Sequence, residues 1–190
     1  QMLNRICLKD GIPLIHLVRR PEQAALLRGQ GAQRVIDTSA PDFMAQLTDA
    51  LAATGTRLAF DATGGGPLIG QVFTAMEAAQ LRRPGLPYSR YGSGVHKQAY
   101  VYGFLQRGPI ELQPGFGFAF SLSGWLLFPF MQQLAPERLA ALKQRVADEL
   151  TTTFASHYER EITLHDLLTP EALRDSARMG TGQKTLLRLA

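Results

Sequence analysis

The sequence has little cysteine and no long uninterrupted apolar run, and each absence excludes a class of protein. Its single cysteine, Cys7, cannot form a disulfide framework or a cysteine zinc cluster within the chain. The most apolar stretch, 114–131, is interrupted by Gly, Ser and Pro, whereas a membrane span needs about 20 apolar residues. The first residues also lack the basic region and apolar core of a signal peptide. We therefore expect a cytoplasmic protein with no membrane partner.

The histidines show no metal-ligand pattern, and hydrolytic motifs are missing as well. The four histidines are His16, His96, His157 and His165, and no two of them have the i, i+4 spacing of ligands on a helix. We therefore expect no metal site. The chain also lacks a Gly-x-Ser-x-Gly elbow and a paired-carboxylate arrangement, which argues against hydrolysis.

Acidic residues are absent from one long basic segment. The chain has a formal net charge of +4, and no Asp or Glu occurs in Leu81–Arg107. This segment holds five basic residues among Gly, Pro, Ser and Tyr, namely Arg82, Arg83, Arg90, Lys97 and Arg107. Because no recognised nucleic-acid motif accompanies them, we expect a solvated loop and no nucleic-acid partner.

The chain alternates short apolar strands with helices. Strand patterns occur at 13–18, 34–37, 57–62 and 99–104, and helical patterns at 21–28, 43–51 and 67–79. The strands at 13–18 and 57–62 are apolar enough to be buried. This alternation with short turns predicts an α/β fold, a Rossmann-like, doubly wound parallel sheet with helices on both faces.

Two helices have clear signals of their own. Ser39 to Asp42 resembles a capping box, with Asp in place of the usual Glu, and the helix that follows has one apolar face. That face holds Phe43, Leu47 and Leu51. The segment Pro136–Leu150 is the clearest amphipathic helix. Its apolar face holds Leu139, Leu142, Val146 and Leu150. After it we expect an α+β tail, with a strand at 157–164, a helix at 169–179, a break at 180–182 and a last strand at 184–189.

The first strand ends in two arginines, Arg19 and Arg20, with no acid. At the end of the second strand of a dinucleotide-binding sheet, an acid selects NAD, whereas arginine accommodates the 2′-phosphate of NADP. The alternative, two surface arginines that open a helix, stays open at this point. A glycine-rich turn would lie about 20 residues before the ribose-reading position. We therefore expect the sheet to be incomplete at its N-terminus, without its first strand and glycine-rich loop.

The chain contains, in this order, the segments HLVRRPEQAALLRGQGAQRVIDTS, LAFDATGGG, YVYGF and TGQKTLL. In this order their motifs resemble the medium-chain dehydrogenase/reductase family, in particular its zinc-free NADPH:quinone oxidoreductase-like branch. The resemblance implies a Rossmann cofactor domain carried with a larger catalytic domain. It implies that 1–155 is the NAD(P)-binding domain and that 156–190 belongs to the catalytic domain of the parent protein.

The resemblance also implies eight cofactor-binding residues, with NADPH as the cofactor. Arg19 and Arg20 would hold the 2′-phosphate, and Thr38 falls where the family contacts the adenosine end, although it could simply precede a helix cap. Thr63 and Gly64 follow a strand at the edge where ligands bind, although three successive glycines could also be only a turn. Asp61 is expected to cap that turn.

Three further residues, Tyr102, Gly103 and Phe104, end the next strand, beside the position that the resemblance implies for the nicotinamide. Core packing is the alternative for them. The aromatic-rich stretch Phe116–Met131 is either a core strand with its bend or an edge strand that pairs across a homodimer, as is common in the family. Trp125 is the expected anchor of that interface.

The function implied is hydride transfer from NADPH to a quinone or an α,β-unsaturated carbonyl compound. No catalytic residue is assigned, because the substrate half of the cleft would lie outside this chain, and we expect the chain alone to be inactive. Two alternatives remain. One is an enoyl-thioester reductase on the same scaffold, and the other is a non-catalytic nucleotide-binding and dimerisation module.

Overall fold

The computed structural model describes residues 1–85, 87–156, 158, 160–176 and 184–189. The helices are α1 (Met2–Asp10), α2 (Pro21–Gly29), α3 (Phe43–Thr54), α4 (Leu68–Leu81), α5 (Leu127–Gln132), α6 (Pro136–Asp148), α7 (Leu164–Leu167) and α8 (Pro170–Ser176). The strands are β1 (Ile15–Val18), β2 (Arg34–Asp37), β3 (Leu58–Asp61), β4 (Lys97–Val101), β5 (Phe120–Gly124), β6 (Arg160–Thr163) and β7 (Thr185–Arg188). The chain forms two compact units, Leu3–Ala140 and Ala141–Ala190.

The first sheet consists of β1 and β2, which run parallel from Ile15↔Arg34 to Val18↔Asp37. Leu17 faces the main core, which is built largely from α3 and α4. Val18 packs on the other face, against Ala24 and Leu27 of α2. The strand therefore alternates between two covered faces, as a strand buried on both sides does.

The second sheet consists of β3, β4 and β5, all parallel, with β4 in the middle. Ala59 faces the same α3–α4 core. On the opposite face, Leu58 is 46% exposed and Phe60 is 52% exposed. The prediction that 57–62 is a buried strand is wrong for these side chains, which are about half exposed although the Phe60 ring lies 5.9 Å from that of Tyr100.

The predicted doubly wound sheet is present as two separate sheets. Among the described residues, β1 pairs only with β2, and β3 pairs only with β4. One edge of β1 and one edge of β3 thus have no neighbouring strand in the part of the chain that the structure covers. Helices cover both faces of the first sheet, whereas in the second sheet the side chains of Leu58 and Phe60 are about half exposed.

The main core joins the two sheets through α3 and α4. The predicted apolar face of α3 is confirmed, since Phe43, Leu47 and Leu51 are all buried. On α4, Phe73 is fully buried, and its ring lies 5.6 Å from that of Phe116 and 5.4 Å from that of Phe120. Phe116 and Phe120 of the aromatic stretch therefore belong to the core, whereas Phe118 is exposed.

Two local predictions are wrong in detail. Ser39 does not open a capping box, because its backbone N–H and its hydroxyl both donate to Asp37 Oδ1, at 2.8 and 2.6 Å. The helix begins instead at Phe43, after Asp42. The strand predicted at 99–104 runs from Lys97 to Val101, so 102–104 follow the strand.

The second unit contains a small parallel sheet. Strand β6 pairs with β7 from Arg160↔Thr185 to Thr163↔Arg188, and α7 and α8 follow β6 in the chain. The amphipathic helix is confirmed as α6, although no residue of it is buried. Three parts of the sequence prediction lie outside the described residues, namely His157, the end of the helix at 177–179 and the break at 180–182. No helix in the described ranges is long and apolar enough to cross a membrane.

Candidate functional site

The eight predicted cofactor-binding residues form two groups, each at the carboxyl ends of parallel strands. The first-sheet group is Arg19, Arg20 and Thr38, which follow β1 and β2. The second-sheet group is Thr63, Gly64, Tyr102, Gly103 and Phe104, which follow β3 and β4. Ligands of open α/β sheets bind outside the carboxyl ends of the strands. Both groups therefore lie at the edge of their sheet where a ligand is expected.

The first-sheet group is held together by the sheet itself. The Thr38 N–H donates to Val18 O at 2.8 Å, which extends the β1–β2 pairing past its last residue pair and places Thr38 beside Arg19. Arg19 and Arg20 are exposed, and within the described part of the chain neither guanidinium forms an ion pair. Both cations are available for an anionic ligand.

Gln23 fixes the turn between β1 and α2, a role that the sequence pattern did not predict. Its side-chain oxygen Oε1 accepts from the N–H groups of Arg19 and Arg20, both at 3.2 Å. In return, Arg20 O accepts from the Gln23 N–H at 3.1 Å. The signal was present, because Gln or Glu three residues after the start of a helix commonly caps it in this way. Without an adjacent Ser or Thr, the signal was incomplete.

Acidic side chains near the first-sheet group have partners or face solvent. Asp37 ends β2, and the two hydrogen bonds from Ser39 hold the pKa of its carboxyl below the usual value. Glu22 lies exposed in the first turn of α2, where a negative charge favours the helix dipole. The group therefore combines two exposed guanidinium groups, a threonine and a helix N-terminus.

Asp61 organises the second-sheet group, as predicted. Its Oδ1 accepts from the Thr63 N–H at 2.7 Å, and its Oδ2 accepts from the Gly64 N–H at 3.2 Å. Asp61 itself is buried, so these bonds also satisfy a buried carboxylate. The turn after β3 is fixed by this cap.

The glycines of this turn are required by a close contact within the chain. Gly64 has φ +77°, and a Cβ at this position would lie 2.4 Å from Gly103 O and 2.6 Å from Phe104 Cδ1. A Cβ on Gly66 would lie 2.7 Å from the Gln106 side chain. Thr63 O accepts from the Gln106 N–H at 2.9 Å, which holds the two segments together. The turn after β3 and the segment after β4 therefore form one closely packed structure.

The aromatic residues after β4 are exposed. Tyr102 is 53% exposed and Phe104 is 71% exposed, although the Tyr102 N–H still donates to Asp61 O at 2.9 Å. The alternative for these residues was core packing, and it is wrong for the side chains of Tyr102 and Phe104 because both are exposed. They present apolar surface beside the turn that Asp61 caps.

A second charged cluster lies between α4 and β4 and corrects the prediction for the basic segment. Lys97 is fully buried, and its Nζ donates to Glu77 Oε2 at 2.5 Å. Glu77 also accepts from the Ser93 N–H at 2.5 Å and from the Ser93 hydroxyl at 2.7 Å. Burial by itself raises the pKa of Glu77, but the hydrogen bonds from Lys97 and Ser93 outweigh it and hold the pKa below its usual value. Lys97 Nζ also donates to Val95 O at 3.3 Å, so the cluster anchors the loop before β4.

No group of three or more His, Cys, Asp or Glu side chains within the described ranges is arranged to hold a metal ion. The donor set of the first-sheet group fits a phosphomonoester, because guanidinium groups and a helix N-terminus both favour phosphate. The second-sheet group offers mainly backbone groups and two exposed rings.

Comparison with solved structures finds the same fold. A protein from Mesorhizobium loti, provisionally named an NADPH:quinone reductase, matches with a TM-score of 0.74 and 24% identity, over 99% of this chain and 49% of that one. A similarly named protein from Bacillus thuringiensis matches with a TM-score of 0.71 and 15% identity, over 100% and 52%. The Etr1p/NADP/crotonyl-CoA complex matches with a TM-score of 0.58 and 18% identity, over 92% and 46%.

The chain thus spans about half the length of the structures that it matches. No protein-family model matches the sequence, and no curated protein matches it. The resemblance predicted from the sequence is confirmed at the level of the fold. The chain has the α/β fold, with parallel strands alternating with helices, of the Rossmann half of the medium-chain dehydrogenase/reductase enzymes.

Proposed function

We propose that this chain is the nucleotide-binding half of an NADPH-dependent oxidoreductase whose acceptor is a quinone or an α,β-unsaturated carbonyl compound. The observation that carries the proposal is the first-sheet group. Two guanidinium groups, which form no ion pair with any residue that the structure describes, stand with Thr38 at the carboxyl ends of β1 and β2, beside the N-terminus of α2. This is the chemistry that a 2′-phosphate on an adenosine ribose requires.

Arg19 and Arg20 would bind the 2′-phosphate through charge-assisted hydrogen bonds, which a ribose with a free 2′-hydroxyl cannot match. Thr38 would contact the adenosine end. The helix N-terminus adds a favourable partial charge. The fold likeness to the Etr1p complex, which contains NADP, supports this choice of cofactor.

The second-sheet group would border the nicotinamide; its residues are Thr63, Gly64, Tyr102, Gly103 and Phe104. Nicotinamide supplies the hydride when the cofactor is bound, and the protein supplies orientation and shelter from water. The fixed turn capped by Asp61 and the exposed rings of Tyr102 and Phe104 suit those two tasks. No side chain of this chain is assigned as a catalytic acid or base.

The second candidate activity is reduction of an enoyl thioester, and the fold likeness to Etr1p with bound crotonyl-CoA favours it. Oxidation of NADPH by the full-length parent, with a panel of quinones and with crotonyl-CoA, separates the two. The third candidate, a non-catalytic nucleotide-binding and dimerisation module, predicts nucleotide binding without turnover in either assay. We expect this chain alone to bind nucleotide and to show no turnover, and turnover by the chain alone would contradict that expectation.

The domain organisation also stays a proposal. We assign 1–155 to the nucleotide-binding domain and 156–190 to the catalytic domain of the parent. The open edges of β1 and β3 suit a further parallel strand between them, since strand order 3-2-1-4-5-6 places the first strand at that position. A glycine-rich turn after that strand would hold the pyrophosphate.

A homodimer through Phe116–Met131 is the proposed assembly. Phe118 is 77% exposed, Leu126 71% and Phe128 75%, and β5 is an edge strand of the second sheet. The ring of Trp125 lies 5.6 Å from that of Phe130, which makes it a plausible anchor. Sedimentation of the Leu126→Glu/Phe128→Glu double variant as a monomer would support this interface. An unchanged dimer would place it elsewhere, and a monomeric wild type would contradict the proposal.

Calorimetric titration with 2′,5′-ADP and 5′-AMP tests the cofactor proposal. We expect this chain to bind 2′,5′-ADP at least roughly tenfold more tightly, because charged hydrogen bonds to the phosphate are each worth about 1.5–3 kcal/mol. The Arg19→Ala/Arg20→Ala double variant should lose the preference. The matched control is Arg57→Ala, an exposed arginine at the amino end of β3. Equal affinity for the two ligands would contradict the assignment of NADPH.

A further inference from the structure

We propose that Gln23 is a specificity-determining residue of the first-sheet group, a neutral cap that fixes the two arginines without placing a negative charge beside the phosphate. The inference rests on the proposed function, because it concerns the same adenosine site. It assigns a role to a residue that neither the sequence pattern nor the family resemblance indicated.

The geometry makes Gln23 the link between both arginines and the helix. Its Oε1 accepts from Arg19 N and Arg20 N, both at 3.2 Å, and its own N–H donates to Arg20 O at 3.1 Å. The backbone conformation of the two residues that would hold the phosphate is therefore set by one side chain. Pro21, at the first position of α2, restricts the same turn further.

Helix physics alone would favour a carboxylate at this position. Glutamate makes the same reciprocal bond at the third helical position, and a negative charge in the first turn gains from the helix dipole. A carboxylate here would lie next to the backbone of Arg19 and Arg20, however, where it would repel a phosphate and attract their guanidinium groups. An amide meets both requirements, because it accepts the two hydrogen bonds and carries no charge.

A purely structural role and a specificity role therefore predict different results for the same substitution. If Gln23 only caps the helix, Gln23→Glu should leave nucleotide preference unchanged. If its neutrality serves the site, Gln23→Glu should fold normally and lose preference for the 2′-phosphate. Gln23→Ala tests the cap without changing the charge, since it removes the hydrogen bonds of the side chain and adds no negative charge.

The experiment is calorimetric titration of this chain and its variants with 2′,5′-ADP and 5′-AMP, with thermal unfolding measured in parallel. The readout is the ratio of the two dissociation constants. We expect Gln23→Glu to reduce the preference for 2′,5′-ADP roughly fivefold or more with Tm unchanged or higher. Gln23→Ala should lower Tm and keep most of the ratio. The matched control is Gln33→Glu, the same charge change at the amino end of β2, which should leave the ratio unchanged.

The outcomes separate the two proposals. If the wild type prefers 2′,5′-ADP and Gln23→Glu keeps that preference, the inference is wrong and the proposed function stands. An equal loss of preference in Gln33→Glu would also overturn it, because the effect would then come from net charge alone. If the wild type binds neither ligand or binds both equally, the proposed cofactor site fails, and this inference fails with it.

Discussion

The two parallel sheets of the first unit contain similar apolar strands, but the strands differ in how many of their faces are buried. In the first sheet, Leu17 faces the α3–α4 core and Val18 faces α2, so both sides of the strand are covered. In the second sheet, Ala59 faces the core, whereas Leu58 and Phe60 are about half exposed on the other side. An apolar run therefore shows that a strand forms, and the neighbouring elements decide how many of its faces are buried.

The charged groups of the two sheets also differ, because those beside the second sheet are buried and those at the end of the first sheet are exposed. Beside the second sheet, Glu77 of α4 and Lys97 of β4 are buried and form an ion pair. In the first sheet, Arg19 and Arg20 are exposed without an ion pair within the described residues. A buried charge must be paired, while an exposed charge stays hydrated until a ligand displaces the water. The first arrangement holds the fold together, and the second is suited to binding.

The largest expected effect comes from breaking the buried pair. Glu77→Ala should destabilise the chain by about 3–5 kcal/mol, because it leaves Lys97 buried without its counter-charge. Urea unfolding measures the change. The control is Asp49→Ala, which removes the partner of Arg82 in an exposed ion pair and should change stability by less than about 1 kcal/mol. Similar losses for the two variants would show that burial does not separate these pairs.

The second prediction concerns the turn after β3. Gly64→Ala should destabilise by about 2–4 kcal/mol, because it combines a positive φ with a Cβ 2.4 Å from Gly103 O. Gly55→Ala is the matched control. It has φ +66° but open space around its Cβ, so backbone strain alone should cost about 1 kcal/mol. Equal effects in thermal or urea unfolding would mean that the contact with Gly103 contributes little.

The third prediction tests the contrast between the sheets directly. Val18→Ala should destabilise by about 1–2 kcal/mol, because its side chain packs against Ala24 and Leu27 on the face opposite the main core. Leu58→Ala, in the second sheet, should lose less than about 1 kcal/mol, since that side chain is 46% exposed. Equal losses in the two variants would contradict the claim that the strands of the two sheets differ in how many of their faces are buried.

The smallest expected effect is a pH dependence in the first sheet. Burial lowers the pKa of His16, whose Nε2 lies 3.0 Å from Asn4 Oδ1. The unfolded chain, where this pKa is about 6.5, therefore takes up the proton first as the pH falls. Stability should decline as the pH falls below about 6.5, and the decline should level off below the lowered pKa. His16→Gln should flatten this part of the curve, and a gain in stability towards acid would contradict the assignment.

Much of the fold was predictable because its signals are local. Pro21 marked the start of a helix, the spacing of Phe43, Leu47 and Leu51 marked a buried face, and Asp61 before Thr63 and Gly64 marked a capped turn. Each of these depends on residues within a few positions of one another. The structure confirms all three.

The failures at Lys97 and Phe60 involve partners distant in the sequence, whereas those at Ser39 and Gln23 are local hydrogen bonds. Lys97 stood in a segment without acids, and its partner Glu77 lies 20 residues earlier on the preceding helix. The exposure of Phe60 depends on which elements cover β3, which its own apolar run does not contain. Ser39 was assigned to the helix that follows, but Asp37, at the end of the preceding strand, offered the nearer acceptor. Gln23 was missed because its hydrogen-bond donors are backbone N–H groups of a turn.

The central claim is that the carboxyl end of the first sheet binds a 2′-phosphorylated adenosine. The most direct test is to titrate the isotope-labelled chain with 2′,5′-ADP and to map the changes in amide chemical shift. We predict saturable shifts at Arg19, Arg20, Gln23 and Thr38, with little change at Arg34 and Lys97 at the amino ends of β2 and β4. Absence of shifts at the first-sheet group, or shifts centred on those amino ends, would contradict the account.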